Sequence, residues 1–325
     1  MNGGNHTKKK DQICLQGNTT KKKYFEGWYY KLVTADKKIS FAIIVGICTE
    51  DAHAFIQVTE NISHRSYYCR YPIDKIKFND EPFSIELDGN YFSKDQLILN
   101  LSNEEIHLKT NLFFSELTPY QPTFLSPTIM GPFSYLPMKC SHGIMSMHHY
   151  IDGYFSYQGN EIDFEDGYGY SEKDYGTSFP RNYLWAQANT LKKESRDIRK
   201  ISMMLAIADI PFGIFSFQGF LCVLQLGTRQ YKFTTYNHSK LTSYREKQNE
   251  VTILEFDKGN YHLIVRLKPG KKNQLKAPLG GKMRTNVEES LDGTMSVTLK
   301  KGSKVLVKQQ LVACAIEKYT NKNRI

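Results

Sequence analysis

Closely spaced cysteine pairs are missing from the sequence. Its six cysteines are scattered over 325 residues, and none of them forms a C-x-x-C pair. This distribution argues against a disulfide framework and against a zinc module. No recognition-helix or zinc-finger pattern is present, so a net charge of +10 does not by itself indicate a protein that binds nucleic acid. The scattered cysteines favour a reducing compartment, and we expect a cytoplasmic protein.

Long apolar segments are also rare. The N-terminus has no apolar core region, so we predict no secretory signal. The most apolar run, residues 205–227, contains Asp209, Pro211 and Gln218, which a membrane-spanning helix tolerates poorly. Two buried strands joined by a Pro-Gly turn explain this run better.

The first 23 residues are strongly basic. Their single acid is Asp11, and their lysines are Lys8, Lys9, Lys10, Lys21, Lys22 and Lys23. A basic tail binds an anionic membrane surface or nucleic acid in some proteins, but it is more often solvated and disordered. We therefore predict a disordered tail over residues 1–23. A peripheral contact with a membrane stays open, and no nucleic-acid partner is predicted.

The composition favours strands over helices. Aromatic residues make up 13% of the chain, with 21 Tyr and 19 Phe, and these side chains fit a pleated sheet. Short aromatic and β-branched segments recur between turn residues, and no convincing amphipathic helix exceeds three turns. The number of strands is too large for a single small barrel. The sequence therefore predicts an all-β fold with little helix, in which two antiparallel β-barrels or curved sheets occupy residues 24–165 and 166–325.

Two segments of the first half are distinctive. Residues 116–141 form a long proline-rich loop that carries Met130 and Phe133, and we expect this loop to pack over another part of the molecule. Residues 142–157 are predicted to form a hairpin that turns at residues 151–153.

One stretch, residues 163–189, sets acids beside aromatic residues. Its acids are Asp163, Glu165, Asp166, Glu172 and Asp174, and its aromatic residues include Tyr168, Tyr170, Tyr175 and Trp185. Carboxyl groups next to aromatic faces are suited to handling protons or cations inside an apolar cavity. A polar turn at the junction of two sheets has the same composition, so both interpretations stay open on spacing alone.

Several blocks of the sequence occur in the same order in a known family. They are FEGWYYK at residues 25–31, MGPFSY at 130–135, CSHGI at 140–144, GYSEKDYGTSFP at 169–180, WAQAN at 185–189 and APLGGKM at 277–283. The blocks resemble those of the tocopherol cyclase family, and they span nearly all of the predicted folded chain. The family pattern has Trp where Tyr175 and Tyr183 stand, and an acid where Lys139 stands.

The resemblance implies a fold of paired lipocalin-like barrels and a reaction that needs no cofactor. In that reaction a proton adds to a double bond of a prenylated hydroquinone or a related isoprenoid, and the phenol oxygen then closes a ring. The implied partner is therefore a hydrophobic small molecule. The reaction requires a carboxyl that burial keeps protonated near neutral pH, aromatic faces that shield the cation, and an apolar cavity.

The resemblance also indicates which side chains act in this way. Glu172, Asp174 and Glu26 are the candidates for the acid. The candidates for the base that takes the phenol proton are His142 and His149. The candidates for ligand binding are Trp28, Tyr29, Tyr170, Tyr175, Trp185 and His149. Each has a structural alternative, since an acid also pairs with a cation at a barrel rim, and an aromatic residue or a histidine also belongs to a core.

The histidines do not predict a metal centre. His142, His148 and His149 lie in one predicted strand, and neighbouring residues of a strand point to opposite faces. We therefore assign no metal ligands from the sequence.

A second hypothesis keeps the fold without the reaction. In this alternative the chain is a non-catalytic, lipocalin-like binder or carrier of a hydrophobic isoprenoid or lipid. The enzyme predicts a buried carboxyl that faces a large apolar cavity. The carrier predicts a cavity whose acids are all paired with cations or turned to solvent.

Overall fold

The computed structural model describes residues 12–123, 126–193, 200–212 and 215–320. The first sheet consists of Phe25–Val33 (β1), Ser40–Cys48 (β2), His53–Glu60 (β3), Ser66–Pro72 (β4), Ile76–Asp80 (β5), Phe83–Leu87 (β6), Asn90–Ser93 (β7), Gln96–Ser102 (β8), His107–Ser115 (β9), Cys140–Tyr157 (β10), Asn160–Glu161 (β11) and Gly167–Gly176 (β12). Short 3-10 helices cover Ile73–Lys75, Gly131–Tyr135 and Gln248–Glu250.

The second sheet contains the rest of the strands. They are Asn182–Ala188 (β13), Thr190–Leu191 (β14), Ile201–Phe212 (β15), Phe215–Leu226 (β16), Arg229–Thr234 (β17), Lys240–Glu246 (β18), Thr252–Lys258 (β19), Tyr261–Lys268 (β20), Lys272–Leu279 (β21), Lys282–Lys301 (β22) and Lys304–Thr320 (β23). The prediction of an all-β fold with two antiparallel sheets in tandem is confirmed. Within the described ranges no ladder joins β4 to β5 or β17 to β18, so the sheets are curved and open rather than closed barrels.

Each sheet curls around a core of its own, and a third core lies between the sheets. In β1 the alternation of side chains places Trp28 and Tyr30 in the core of the first sheet. The intervening Tyr29 points the other way and joins a cluster with Trp185 and Leu291 of the second sheet. Strands of the first sheet that face the second sheet are therefore buried on both sides.

The division between the two halves lies later in the chain than the sequence predicted. We assigned residues 166–325 to the second half, but β12 pairs with β1 on one side and β10 on the other. These neighbours make β12 a central strand of the first sheet. The crossing to the second sheet falls between Gly176 and Asn182, because β13 is the first strand that pairs there.

Two further expectations are corrected. Residues 142–157 do not form a hairpin: β10 is one continuous strand that pairs with β12 through its first part and with β9 through its second. The predicted tail is ordered in part, because Cys14 is only 4% exposed and packs in the core of the first sheet. Residues 1–11 lie outside the described residues.

No helix in the described ranges is long and apolar enough to cross a membrane.

Candidate active site

A cavity of ≈180 Å³ lies between the two sheets. Most of its wall is apolar and includes Phe25, Ile44, Phe55, Met130, Phe133, Met138, Phe179, Ile210, Phe217, Leu221 and Met283. The titratable side chains of the wall include His142, Glu172, Asp174 and Glu317. The proline-rich loop supplies three of the apolar side chains, so the prediction that it packs over another part of the molecule is confirmed.

The pairing of β12 with its two neighbouring strands brings Glu172 and Asp174 to the cavity side by side with residues of β1 and β10. In β12 the side chains of Tyr170, Glu172 and Asp174 share a face because side chains alternate along a strand. His142 of β10 is the direct partner of Asp174, and Tyr29 of β1 is the direct partner of Glu172. The block at residues 169–180 thus meets the blocks at 25–31 and 140–144 on one face of the first sheet.

His142 lies between two carboxyl groups. Its Nδ1 is 2.9 Å from Asp174 Oδ1, and its Nε2 is 3.3 Å from Glu172 Oε2. Burial by itself lowers the pKa of an imidazole, but Glu172 and Asp174 outweigh it and raise the pKa of His142 to about 9. The two carboxyls thus favour the imidazolium form of this side chain.

Glu172 receives hydrogen bonds from two aromatic side chains. The Tyr170 hydroxyl donates to Glu172 Oε2 at 2.5 Å, and Trp185 Nε1 donates to the same oxygen at 3.2 Å. Burial raises the pKa of Glu172; His142 lowers it and Asp174 raises it, and the result is about 7. This carboxyl consequently gains or loses its proton close to neutral pH, as a general acid requires.

A second acidic pair comes from the far end of the chain. Glu289 of β22 and Glu317 of β23 are direct cross-strand partners. The Tyr29 hydroxyl donates to Glu289 Oε1 at 2.9 Å, and the Tyr183 hydroxyl donates to Glu317 Oε2 at 2.9 Å. Burial raises the pKa of Glu289 to about 7 and the pKa of Glu317 well above its ordinary value. The sequence analysis did not predict either residue.

One buried lysine lies near the second pair. Lys31 Nζ donates to Gln187 Oε1 at 2.9 Å and to the Ala313 carbonyl at 2.5 Å, and burial lowers its pKa to about 8. Together with His142 it provides two cations at the junction of the sheets. The four carboxyls at this junction are Glu172, Asp174, Glu289 and Glu317. Because the carboxyls outnumber these cations, the buried cluster retains protons at neutral pH.

This surplus of acids predicts an unusual pH dependence of stability. An unfolded Glu ionises near 4.5, whereas Glu172 and Glu289 ionise near 7 in the fold. Between these values each of these carboxyls binds more protons in the folded state, so each lowers the free energy of unfolding by about 1.4 kcal/mol per pH unit, whereas His148 and His149, whose pKa values burial lowers to about 4 and about 3, oppose this fall below about pH 6.5. We expect Glu289→Gln to flatten this slope in calorimetric melts from about pH 5 to 8.

The control for this prediction is Glu288→Gln, one residue earlier on the same strand. Glu288 is exposed and lies 3.1 Å from Lys272 at the surface, so its replacement leaves the slope as in the wild type. An equal slope in Glu289→Gln and the wild type, or a flatter slope in Glu288→Gln, contradicts the prediction.

Glu26 does not reach the cavity. It is fully buried on the inner face of the first sheet, where it forms an ion pair with Lys173. Its carboxylate also accepts hydrogen bonds from the Tyr24 hydroxyl at 2.5 Å and from the backbone N–H groups of Gln16 and Gly17 at 2.7 and 3.0 Å. Its expected role as the acid is therefore not supported by its position, and its structural alternative is the better account.

Three predicted ligand-binding residues also lie away from the cavity. Trp28 Nε1 donates to the Ile13 carbonyl at 2.7 Å within the first core. Tyr175 shares a strand face with Lys173, whose Nζ is 5.3 Å from its ring centroid. His149 is fully buried with its ring 4.6 Å from that of Phe114, and burial lowers its pKa to about 3. These side chains support the first sheet rather than the cavity.

The other predicted aromatic residues do gather at the site. Tyr29 and Trp185 line the cavity with ring centroids 5.5 Å apart and an interplanar angle of 70°. Tyr170 is fully buried behind Glu172 and holds its carboxyl. The sequence thus identified six side chains that meet here, namely His142, Glu172, Asp174, Tyr29, Tyr170 and Trp185.

The same cluster offers a set of possible metal ligands. One ligand atom each from His142, Glu172 and Asp174 lies within 4.8 Å of the others. Imidazole and carboxylate ligands suit a divalent ion such as Zn²⁺. In the structure, however, the imidazole bonds directly to one carboxyl and approaches the other, so the ligands already satisfy one another.

Solved structures share the overall fold. The crystal structure of CghA with Sch210972 matches with a TM-score of 0.57 and 8% sequence identity, over 92% of this chain and 89% of the other. Kievitone hydratase from Nectria haematococca matches with a TM-score of 0.53 and 9% identity, over 95% of this chain and 94% of the other. Identities this low establish similarity of fold alone.

The sequence comparison is more specific. None of the curated proteins matches the chain in sequence. The sequence profile of the family described as Tocopherol cyclase-like matches residues 120–318, which include β10, β12 and most of the second sheet. His142, Glu172, Asp174, Glu289 and Glu317 all fall inside this match. The chain therefore belongs to the tocopherol cyclase-like family.

Proposed function

We propose that this protein is an enzyme of the cyclase or hydratase type that protonates a carbon–carbon double bond without a cofactor. For its substrate we propose a prenylated hydroquinone or a related isoprenoid. The observation that carries the proposal is the Glu172 carboxyl, which is 4% exposed, bonded to Tyr170 and Trp185, and part of the wall of an apolar cavity. An acid paired only with cations would favour the carrier instead.

The proposed first step moves one proton from Glu172 to the substrate. The π electrons of the double bond form a C–H bond with the carboxyl proton, which leaves a tertiary carbocation and the Glu172 carboxylate. Tyr170 and Trp185 already donate to Glu172 Oε2, so they stabilise the carboxylate as it forms. The imidazolium of His142 lies 3.3 Å from the same oxygen and adds a compensating charge.

The second step closes the ring. The phenol oxygen donates an electron pair to the carbocation, a C–O bond forms, and the phenol proton returns to the Glu172 carboxylate. The product is thus an isomer of the substrate, and the enzyme regains its starting protonation state. Attack by water instead of the phenol would give a hydration product by the same first step, which is consistent with the name of kievitone hydratase.

The roles of His142 and Asp174 differ from those expected from the sequence. The imidazole of His142 has a raised pKa because two carboxyls surround it, so it is already protonated at neutral pH and is poorly suited to accept the phenol proton. We assign it to charge stabilisation, and we assign Asp174 to orienting it through the bond to Nδ1. Glu172 then serves as acid and as base in turn.

Aromatic faces line the place where the cation would form. Tyr29, Tyr183 and Trp185 belong to the cavity wall. Each cation–π contact with such a face contributes about 0.5–2 kcal/mol, depending on its desolvation. The apolar remainder of the wall suits the prenyl chain and excludes water from the cation.

The proposal is tested by incubating the purified protein with a prenylated methyl-hydroquinone and analysing the mixture by chromatography and mass spectrometry. We expect a ring-closed product of unchanged mass. Stoichiometric retention of the lipid without conversion would favour the carrier. A product heavier by one water would indicate a hydratase. If the protein neither converts nor retains the lipid, the assignment of this substrate class is overturned.

Chelation separates proton chemistry from metal chemistry at the same cluster. Because the proposed donor is the Glu172 carboxyl, we expect turnover to be unchanged after dialysis against EDTA. Activity that disappears on chelation and returns with a divalent ion would instead assign His142, Glu172 and Asp174 to a metal centre.

A further inference from the structure

Three segments that contribute residues to the cavity wall are hydrogen-bonded to one another, and we call the surface that they form the cavity rim. It comprises residues 131–139, 177–181 and 278–284. The Thr177 N–H donates to the Lys139 carbonyl at 2.7 Å, the Phe179 N–H to the Pro278 carbonyl at 3.2 Å, and the Gly281 N–H to the Thr177 carbonyl at 2.8 Å. Half-buried cavity residues belong to the same segments, namely Phe133, Met138, Phe179, Pro180 and Met283.

The rim exposes large apolar side chains next to these cavity residues. Leu136 is 50% exposed and lies between Phe133 and Met138 in the first segment. Leu279 is 54% exposed and follows Pro278 in the third. Tyr135, at 66%, is the neighbour of Leu136. Single exposed apolar residues need no explanation, but a group of them beside the wall residues of an apolar cavity indicates a surface that meets an apolar phase.

Basic side chains surround these apolar residues. The exposed cations of the rim are Lys139, Arg181 and Arg284, and Lys282 is half-exposed. The exposed Lys22 and Lys23 lie at the same place, because a Cβ atom added to Gly281 would be 2.5 Å from the backbone of Lys23. One acid is adjacent: the Glu50 N–H donates to the Gly281 carbonyl at 3.4 Å. The rim therefore carries a clear excess of positive charge.

We propose that the cavity rim docks on an anionic membrane surface, so that the cavity opens toward the acyl chains and exchanges its apolar ligand with the bilayer. Aliphatic and aromatic tips encircled by Lys and Arg are the combination that binds a membrane interface, since the apolar groups enter the acyl boundary while the cations contact anionic headgroups. This inference concerns how the cavity is reached, and it does not depend on the proposed reaction.

The test is flotation of the full-length protein with lipid vesicles. We expect binding to vesicles of phosphatidylcholine with phosphatidylserine, weaker binding to phosphatidylcholine alone, and loss of binding as salt screens the charges. Lys139→Gln with Arg181→Gln should lower the partition coefficient about thirtyfold, since each cation contributes about a fivefold factor. Leu136→Ser with Leu279→Ser should lower it at least about tenfold.

Matched controls alter the same residue types outside the rim. Ile62 and Val305 are 48% and 49% exposed, and their joint replacement by Ser should leave binding unchanged. Lys94→Gln with Lys304→Gln removes the same net charge from other exposed positions and should also have little effect.

Three outcomes would overturn the proposal. They are no binding to anionic vesicles, equal losses in the rim variants and their controls, and binding that survives the rim variants but disappears when Lys8, Lys9 and Lys10 are replaced by Gln. The last outcome would assign the contact to the N-terminal lysines rather than to the rim. Because flotation needs no turnover, its failure leaves the proposed reaction untouched, and an inactive protein still reports on docking.

Discussion

Glu172→Gln is expected to lower kcat by about 10²–10⁴-fold, the usual contribution of a general acid. Glutamine has nearly the same size and keeps an oxygen that accepts from Tyr170 and Trp185, but it has no proton to give to a double bond. KM should change little, because the apolar wall provides most of the contact with the substrate. Steady-state kinetics on the ring-closing reaction measure both constants.

The pH profile gives this prediction a second readout. Glu172 must be protonated to act, and its pKa is about 7, so kcat of the wild type should fall as pH rises through that value. Glu289→Gln provides the comparison, since it removes a buried carboxyl with a similar pKa that contacts Tyr29 and is outside the cavity wall. Equal losses in both variants, or wild-type kcat in Glu172→Gln, would remove Glu172 from the mechanism.

The second large effect concerns stability of the first sheet. Lys173→Met should lower the free energy of unfolding by about 3–5 kcal/mol, because it leaves the buried carboxylate of Glu26 without its cation. Glu26 is 0% and Lys173 is 1% exposed, so water cannot replace the lost partner. The backbone carbonyls of Gln12 and Cys14 lose their donor as well. Urea denaturation of the variant and the wild type measures the difference.

A double variant separates this charge effect from a packing effect. Lys173→Met with Glu26→Gln removes both charges, so it should be more stable than Lys173→Met alone. The surface control is Lys38→Met, whose partner Asp36 is 3.0 Å away in solvent, and which should cost no more than about 1 kcal/mol. A loss in Lys173→Met as small as in this control, or no recovery in the double variant, would refute the account of the pair.

Sequence patterns identified the residues that meet around His142, but they did not show which faces of the strands turn toward the cavity. The resemblance of residues 169–180 and 140–144 to a known family identified Glu172, Asp174 and His142, which do meet at the cavity. The error with Glu26 has a physical cause: β1 is buried on nearly its whole length, so its hydropathy shows no alternation that would distinguish the two faces. Alternation places Glu26 and Tyr29 on opposite faces of the strand, but the sequence does not show which of the two faces turns toward the cavity.

Local sequence patterns did not identify the second acidic pair, for a different reason. Glu289 and Glu317 lie more than a hundred residues after Glu172, and only the pairing of β22 with β23 and the packing of the two sheets bring them near it. A weak signal does exist, because Glu317 directly follows the apolar run 311–316. A carboxylate in a strand that is otherwise buried points to a buried polar site.

The predicted boundary at residue 165 was misplaced because it, too, depends on pairing between strands that are distant in the sequence. Strand β12 is separated from β1 by more than a hundred residues, yet it pairs with it directly. No turn signal predicts such a pairing, because it depends on the curl of the whole first sheet. Strand content and the antiparallel all-β class, which follow from composition and local turns, were predictable.

The most direct test of the central claim is the mass of the product formed in D₂O. The Glu172 carboxyl exchanges its proton with solvent, and protonation of the double bond would transfer that hydrogen to carbon. We therefore expect the ring-closed product to contain a single non-exchangeable deuterium. It should lie on the carbon adjacent to the one that forms the new C–O bond. A ring-closed product without carbon-bound deuterium would contradict proton transfer from Glu172 to the double bond.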